Sequence, residues 1–246
     1  MANFAVIVPA AGKSTRFMGR DKKPFAPLDG RPIWLRAIEH FVARPDVQQV
    51  IIVIAPDDRE KFFERYGPNL AFMSIEVVDG GSERFESVAN ALAKVRDEID
   101  FIAVHDAVRP NVPSTLVDAV FAAAIKHGAA LPAIPVTDTV KQVDADNKVT
   151  KTVPRDGLWL AQTPQVFRRD WLVKAYQKRG TLQQTITDDA QLIEAMGHPV
   201  MIVPGVATNF KITTQADLAF AEALMNSMRG TKQTERSSHP FADEEY

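Results

Sequence analysis

Phe4-Ala5-Val6-Ile7-Val8-Pro9-Ala10-Ala11-Gly12-Lys13-Ser14-Thr15-Arg16 opens as an unbroken apolar run and then breaks into small residues, a glycine, hydroxyls and two cations. A strand covered on both faces requires such a run, because neither side of it meets water. The same short, apolar, β-branched pattern returns at residues 50–55, 75–78, 101–104 and 130–136. Between these runs, residues 32–43, 84–95 and 113–127 have the length and amphipathic spacing of crossover helices. Strand and helix in alternation predict an α/β fold, a doubly wound and mostly parallel sheet with its working residues at the carboxyl ends of the strands.

The rest of the composition narrows the function. The chain has 246 residues, 46% of them hydrophobic, enough for one large core. Lys and Arg number 29 against 31 Asp and Glu, so the net charge of -2 gives no general attraction for nucleic acid or an acidic membrane. Any anion site must be local. With no cysteine, disulfides, thiolate metal sites and cysteine nucleophiles are excluded. No run reaches the roughly 18 apolar residues of a membrane span, and the simplest expectation is a cytoplasmic protein.

Past the fifth strand the pattern turns polar. Within the arm at 137–156, Val143, Val149 and Val153 alternate around the turn residues 144–147, which predicts a β-hairpin. So little apolar surface is marginal alone, so the arm is expected to pack on a second subunit. Helices follow near 169–178, after Thr187-Asp188-Asp189-Ala190, and from Thr214 to about Met228, with a strand at 200–203. Residues 1–228 are read as one domain and 229–246 as a polar, disordered tail.

The loop after the first strand bears two readings. Small side chains at Ala10, Ala11 and Gly12 let backbone N–H groups approach a phosphate or a base, with Lys13 and Arg16 adding charge; equally, the loop is a tight turn with solvated cations. Gly12-Lys13-Ser14 imitates the end of a P-loop, but the first glycine of that pattern falls on Ile7, inside the strand. Lys22 and Lys23 precede Pro24, which fixes the backbone and positions a cation, or else they belong to a charged surface loop. Asp79-Gly80-Gly81-Ser82 and Ser87 can present backbone groups and a hydroxyl to a base edge, or form a turn with Ser82 as helix N-cap. His105-Asp106-Ala107-Val108-Arg109-Pro110 sits at the end of the fourth strand. Asp106 there suits a Mg²⁺ bound also by phosphate oxygens, Arg109 suits a phosphate, and His105 alternates away into the structure; a plain Asp/Arg ion pair is the other possibility.

Taken in order, the Pro9–Gly12 loop, Arg16, Lys23, His105–Pro110, Gln162-Thr163-Pro164-Gln165 and Asn209-Phe210-Lys211 resemble the 2-C-methyl-D-erythritol 4-phosphate cytidylyltransferase family, from Phe4 to about Leu224. The resemblance implies a Rossmann-like fold, CTP as substrate, Mg²⁺ as cofactor, and a homodimer joined by the arm. It implies that Ala10, Ala11, Gly12, Gly81, Ser82 and Ser87 contact the cytidine, and that Arg16, Lys23 and Lys211 act on the triphosphate as catalytic residues. Asp106, Arg109, Thr139, Thr163 and Thr187 would hold the polyol phosphate, with Arg155 reaching the partner's site. Lys22 stands where the family often has proline, and Ser82 where it often has an acid.

The reaction so implied is attack of the acceptor's phosphate oxygen on the α-phosphorus of CTP, with pyrophosphate leaving. Two alternatives share the nucleotide loop: a ribitol 5-phosphate cytidylyltransferase, and a nucleotide-binding sensor without turnover.

Overall fold

The computed structural model describes residues 2–12, 14, 17, 21–181 and 186–237, with side chains for all of these except 181 and 228–237. Strand β1 (Phe4–Pro9) leads through a 3-10 turn at Lys23–Phe25 and a small ribbon, β2 (Pro27–Leu28) and β3 (Arg31–Pro32), into helix α1 (Ile33–Val42). Then come β4 (Val47–Ile54), α2 (Arg59–Phe72), β5 (Ile75–Asp79), α3 (Arg84–Leu92), β6 (Phe101–Val104), α4 (Ser114–His127) and β7 (Ala129–Pro135). The remainder holds β8 (Val140–Val143), β9 (Val149–Val153), β10 (Trp159–Ala161), β11 (Gln165–Arg168), α5 (Arg169–Lys178), α6 (Ala190–Ala195), β12 (Met201–Pro204) and α7 (Gln215–Ser237).

Strands β5, β4, β1 and β6 lie side by side and parallel. The chain leaves β1 toward β4 and β5, then returns to place β6 on the other side of β1. That reversal opens a crevice beyond the carboxyl ends of β1 and β6, the usual ligand position in a doubly wound sheet. Beyond β6 the sheet becomes mixed: β11 runs antiparallel to β6 and β7, β10 antiparallel to β7, and β12 parallel to β7.

The alternation of β1 assigns its side chains to two cores. Phe4, Val6 and Val8 pack with Trp34, Phe41 and Phe121 on one face, while Ala5 and Ile7 meet Val88, Ala91, Leu172 and Ile193 on the other. Burying one such large side chain contributes about 1.5–3 kcal/mol, so both faces of the run are held. A third cluster, with Phe17, Leu28, Ile33, Val108 and Ile212, ties the loop after β1 to the approach to α7. The amide of Ile212 donates to Val108 O at 2.9 Å, which fixes the neighbouring Lys211 over the end of β6.

Four elements depart from the sequence reading. Helix α2 forms although Gly67 and Pro68 lie within it, because Phe62, Tyr66 and Leu70 fall on one face and are buried beneath it. Strands β10 and β11 form in a stretch where the sequence predicts no element. Helix α7 runs on to Ser237, past Met228, and residues 238–246 lie outside the described ones. The arm is the expected hairpin: β8 pairs antiparallel with β9, and Asp144 Oδ1 accepts the amides of Asp146 and Lys148 at 2.9 Å each. No helix among the described residues is long and apolar enough to cross a membrane.

Candidate active site

A cavity of about 790 Å³ opens at the carboxyl ends of β1, β4 and β5. Ala10, Ala11 and Gly12 line it from one side and Gly80, Gly81, Ser82 and Ser87 from the other, with Lys22, Lys23, Asp106 and Lys211 completing the wall. A second cavity of about 260 Å³ is lined by Arg109, Gln162, Thr163, Gln165, Thr187 and Asp188. Arg84, Asp106 and Lys211 belong to both. The cavities therefore adjoin across one charged partition.

The glycine turn is shaped by its own hydrogen bonds. Gly80 N–H donates to Ile54 O at 2.7 Å, and Gly81 N–H to Ser87 Oγ at 3.1 Å, while Ser87 Oγ in turn donates to Glu83 O at 3.1 Å. The buried Ser87 hydroxyl has thus spent its hydrogen and faces a ligand only as an acceptor. Ser82 is not the helix cap: Glu83 is, and the Ser82 amide and hydroxyl both donate to Glu86 Oε2 at 2.7 Å. That hydroxyl, with the backbone donors of Glu83 and Ser82, holds the Glu86 carboxyl below its usual range.

The two lysines after the first loop differ in their partners. Lys22 Nζ lies 2.8 and 2.7 Å from the two oxygens of Asp58. Lys23 is placed by its backbone, whose amide donates to Ser14 Oγ at 3.1 Å at the start of the 3-10 turn.

At the partition, Asp106 Oδ2 receives Lys211 Nζ at 3.0 Å and Arg109 Nε at 3.4 Å. Burial works to raise the Asp106 carboxyl, but the charges of Lys211, Arg84 and Arg109 outweigh it and hold the group well below the carboxylate range. Asp106 is an anion in this setting. Arg109 also donates from Nη1 to Asn209 O at 2.7 Å, so its fork is partly committed within the protein.

His105 turns into the core, its ring 5.0 Å from Phe41, as strand alternation implies. Its Nε2 lies 3.2 Å from Arg109 O and its Nδ1 3.1 Å from Thr163 Oγ1, which accepts the Asp106 amide at 3.1 Å. A carbonyl only accepts, so Nε2 carries the hydrogen, Nδ1 keeps its lone pair, and the Thr163 hydroxyl donates to it. Burial lowers the imidazole to about 4, which keeps it neutral and preserves that order. Thr163 is left with a lone pair, suited to a hydroxyl of the polyol phosphate.

Thr187 donates to Gln191 Oε1 at 3.1 Å from the rim of the smaller cavity. Thr139 and Arg155 line neither cavity. Both are exposed on the chain around the arm, and the Arg155 guanidinium donates to Thr137 O. Arg16 lies outside the described residues. Arg84 and Asp188, by contrast, reach the cavities without having been singled out by sequence. Arg84 stands three residues past Gly81, close to the glycine pair, a signal that was available; its partner Asp189 is far along the chain. Burial disfavours the Arg84 charge, but Asp189, itself buried and 2.7 Å away, more than compensates and raises its pKa.

Asp106 offers one carboxylate, and the described residues contain no group of three or more His, Cys, Asp or Glu able to hold a metal. That donor set fits a Mg²⁺ bound through one carboxylate and substrate phosphates, not a cage of protein ligands.

A sequence model described as 2-C-methyl-D-erythritol 4-phosphate cytidylyltransferase matches residues 4–227. The enzyme of that name from Frankia casuarinae is 44% identical over 90% of this chain and 80% of its own. The Rhodopirellula baltica one is 40% identical over 93% and 97%. The crystal structure of the Thermus thermophilus enzyme superimposes with a TM-score of 0.74 at 34% identity, over 90% of this chain and 98% of that one. Fold and sequence agree, and the chain belongs to the 2-C-methyl-D-erythritol 4-phosphate cytidylyltransferase family.

Proposed function

We propose that the chain transfers the cytidylyl group of CTP to 2-C-methyl-D-erythritol 4-phosphate, giving 4-diphosphocytidyl-2-C-methyl-D-erythritol and pyrophosphate in isoprenoid biosynthesis. The observation that carries this beyond family membership is the partition. Two cavities of unequal size share Arg84, Asp106 and Lys211, so a nucleotide and a smaller phosphate ester can meet with their phosphates between the same charges.

In the reaction, an oxygen of the acceptor phosphate forms a bond to the α-phosphorus, and the bond from that phosphorus to the bridging oxygen breaks. The acceptor is already an anion, so no side chain need remove a proton. The protein's task is placement and charge stabilisation. Arg16, Lys23 and Lys211 surround the α-phosphate, and Ala10, Ala11, Gly12, Gly81, Ser82 and Ser87 take the cytidine. Asp106, Arg109, Thr163 and Thr187 take the acceptor, with Thr139 and Arg155 completing the site from the arm of a second subunit. A Mg²⁺ held by Asp106 and the phosphates would neutralise part of their charge. The compartment proposed is the cytoplasm, since the substrate is a nucleoside triphosphate.

Pyrophosphate release with CTP, Mg²⁺ and each acceptor tests this reading. Release with methylerythritol phosphate and little with ribitol 5-phosphate is expected. CTP binding with no release from either acceptor would leave only the sensor.

A further inference from the structure

Arg84 opens α3 and stands in the wall between the two cavities. Its Nη2 donates to Asp189 Oδ2 at 2.7 Å, and the other oxygen of that carboxylate takes the Tyr176 hydroxyl at 2.5 Å. The Asp189 side chain is 1% exposed and that of Arg84 35%, so one edge of the guanidinium is anchored in the core while the rest borders open space. Among the described residues, the remaining N–H donors of Arg84 meet no protein acceptor.

Neutralising Asp189 accounts for that anchored edge alone. A lysine would do it with a point charge, whereas arginine carries five donors in a rigid fork and can hold a carboxylate on one edge and a phosphate on the other. Asp106, which feels the Arg84 charge, lies in the same wall. Two anionic phosphates must approach one another there, and a cation fixed from behind costs no reorganisation when they do.

We propose that Arg84 binds the acceptor's phosphate at the junction of the cavities, beside the α-phosphate of the nucleotide, and that Asp189 and Tyr176 are the anchor that aims it. This rests on the cytidylyl-transfer reading. Arg84 is a catalytic residue in this assignment; Asp189 and Tyr176 are positioning residues.

The test uses the full chain as wild type, Arg84→Gln and Arg84→Lys. Turnover is measured with CTP and methylerythritol phosphate, thermal unfolding follows the fold, and calorimetry gives the affinity for the acceptor and for inorganic phosphate. Arg84→Gln is expected to bind the acceptor at least about tenfold more weakly and to lose roughly a hundredfold in kcat, the scale for one preorganised donor. Arg84→Lys keeps a cation for Asp189, so it is expected to melt as the wild type does yet regain less than about a tenth of the turnover. If the Gln variant does not fold, the Lys variant decides alone. Wild-type acceptor affinity and kcat in a folded Lys variant overturn the proposal, as does a loss confined to KM for CTP. A wild type silent with every acceptor defeats the cytidylyl reading instead, and the phosphate affinities then still decide whether Arg84 is an anion ligand.

Discussion

Lys211 Nζ sits 3.0 Å from Asp106 Oδ2, an ion pair that joins the end of β6 to the approach of α7 across the mouth of both cavities. Its two members are held unequally. Asp106 is buried among three cations, whereas the Lys211 side chain is 40% exposed. Asp106→Asn therefore removes the neutralising charge from a buried cluster, and is expected to lower unfolding free energy by about 3 kcal/mol together with turnover. Lys211→Ala is expected to cost turnover roughly a hundredfold with little change in stability. Chemical unfolding beside kinetics separates the two, and equal stability losses would contradict the asymmetry.

Lys22 and Lys23 are distinguished by the same kind of geometry. Asp58 holds the Lys22 ammonium through both carboxylate oxygens, so that cation, although in the cavity wall, is already neutralised by the protein. Lys23→Ala is expected to lose about a hundredfold to a thousandfold in kcat with the fold intact, and Lys22→Ala at least ten times less. The order of the two losses, measured at saturating CTP, is what matters. A reversed order would move the catalytic role to Lys22.

The His105 chain makes a claim about pH. Its imidazole is lowered from 6.5 to about 4 chiefly by burial, so between those values the unfolded chain binds a proton that the folded one refuses. Stability from this group is full above about pH 6.5 and falls as pH drops toward 4, by about 3 kcal/mol in all. His40, lowered by burial, acts with the same sign, and Asp106, held down by its cations, loses its contribution only at still lower pH. Unfolding free energies at pH 4.5, 5.5 and 7 are expected to slope more gently in His105→Gln than in the wild type. Identical slopes would show that His105 is not the buried neutral group described.

How much of this was legible in the sequence follows from the range of the forces involved. Strands β1, β4 and β6 are apolar runs buried on both faces, so composition alone marks them. Strand β11 is short and begins with Gln165, a polar residue buried because its amide donates to Asp188 at 2.8 Å and accepts Ala190 N–H at 3.2 Å. Nothing local announces partners that distant. Helix α2 hides for a different reason: Gly67 and Pro68 advertise a break, and only packing of Phe62 and Tyr66 under Trp34 overrides them. Arg84 was marked in the sequence only by its nearness to the glycine pair, because the carboxylate that aims it arrives with α6. Asp106 was readable from its place at a strand end and Lys211 only through family resemblance, since their pairing is a tertiary fact.

The exposed arm bears on subunit arrangement. Val143 and Val149 are about half exposed, and Arg155 lies outside both cavities of its own chain. If a twofold partner receives Arg155, mixing an Arg155→Ala chain with a Lys23→Ala chain is expected to restore activity, since each heterodimer rebuilds one complete site. Random pairing would give roughly a quarter of wild-type turnover. Confirmed heterodimers without recovery would confine Arg155 to its own subunit or remove it from catalysis.

Two glycines of the larger cavity should respond to alanine in opposite ways, and the contrast tests what each is for. A Cβ at Gly80 would lie 2.6 Å from Ala11 Cβ, 2.9 Å from Ser87 Oγ and 3.3 Å from Ile54 O. The neighbours are a strand carbonyl and two short side chains, one locked by its hydrogen bonds, so none can retreat. Gly80→Ala is expected to cost about 1–3 kcal/mol of stability from overpacking, before any ligand is added. Among the described residues, a Cβ at Gly12 meets nothing within 4 Å. None of these residues requires Gly12 to be small, and its smallness becomes useful when a ligand approaches the backbone of the first loop. Gly12→Ala is therefore expected to melt as the wild type does while raising the Kd for CTP at least about tenfold, since the added methyl stands where the nucleotide must come close. Calorimetric titration with CTP and a thermal melt on each variant decide it. An unchanged Kd in Gly12→Ala would put the nucleotide away from that loop, and an undisturbed melt in Gly80→Ala would mean that the two walls of the cavity can part.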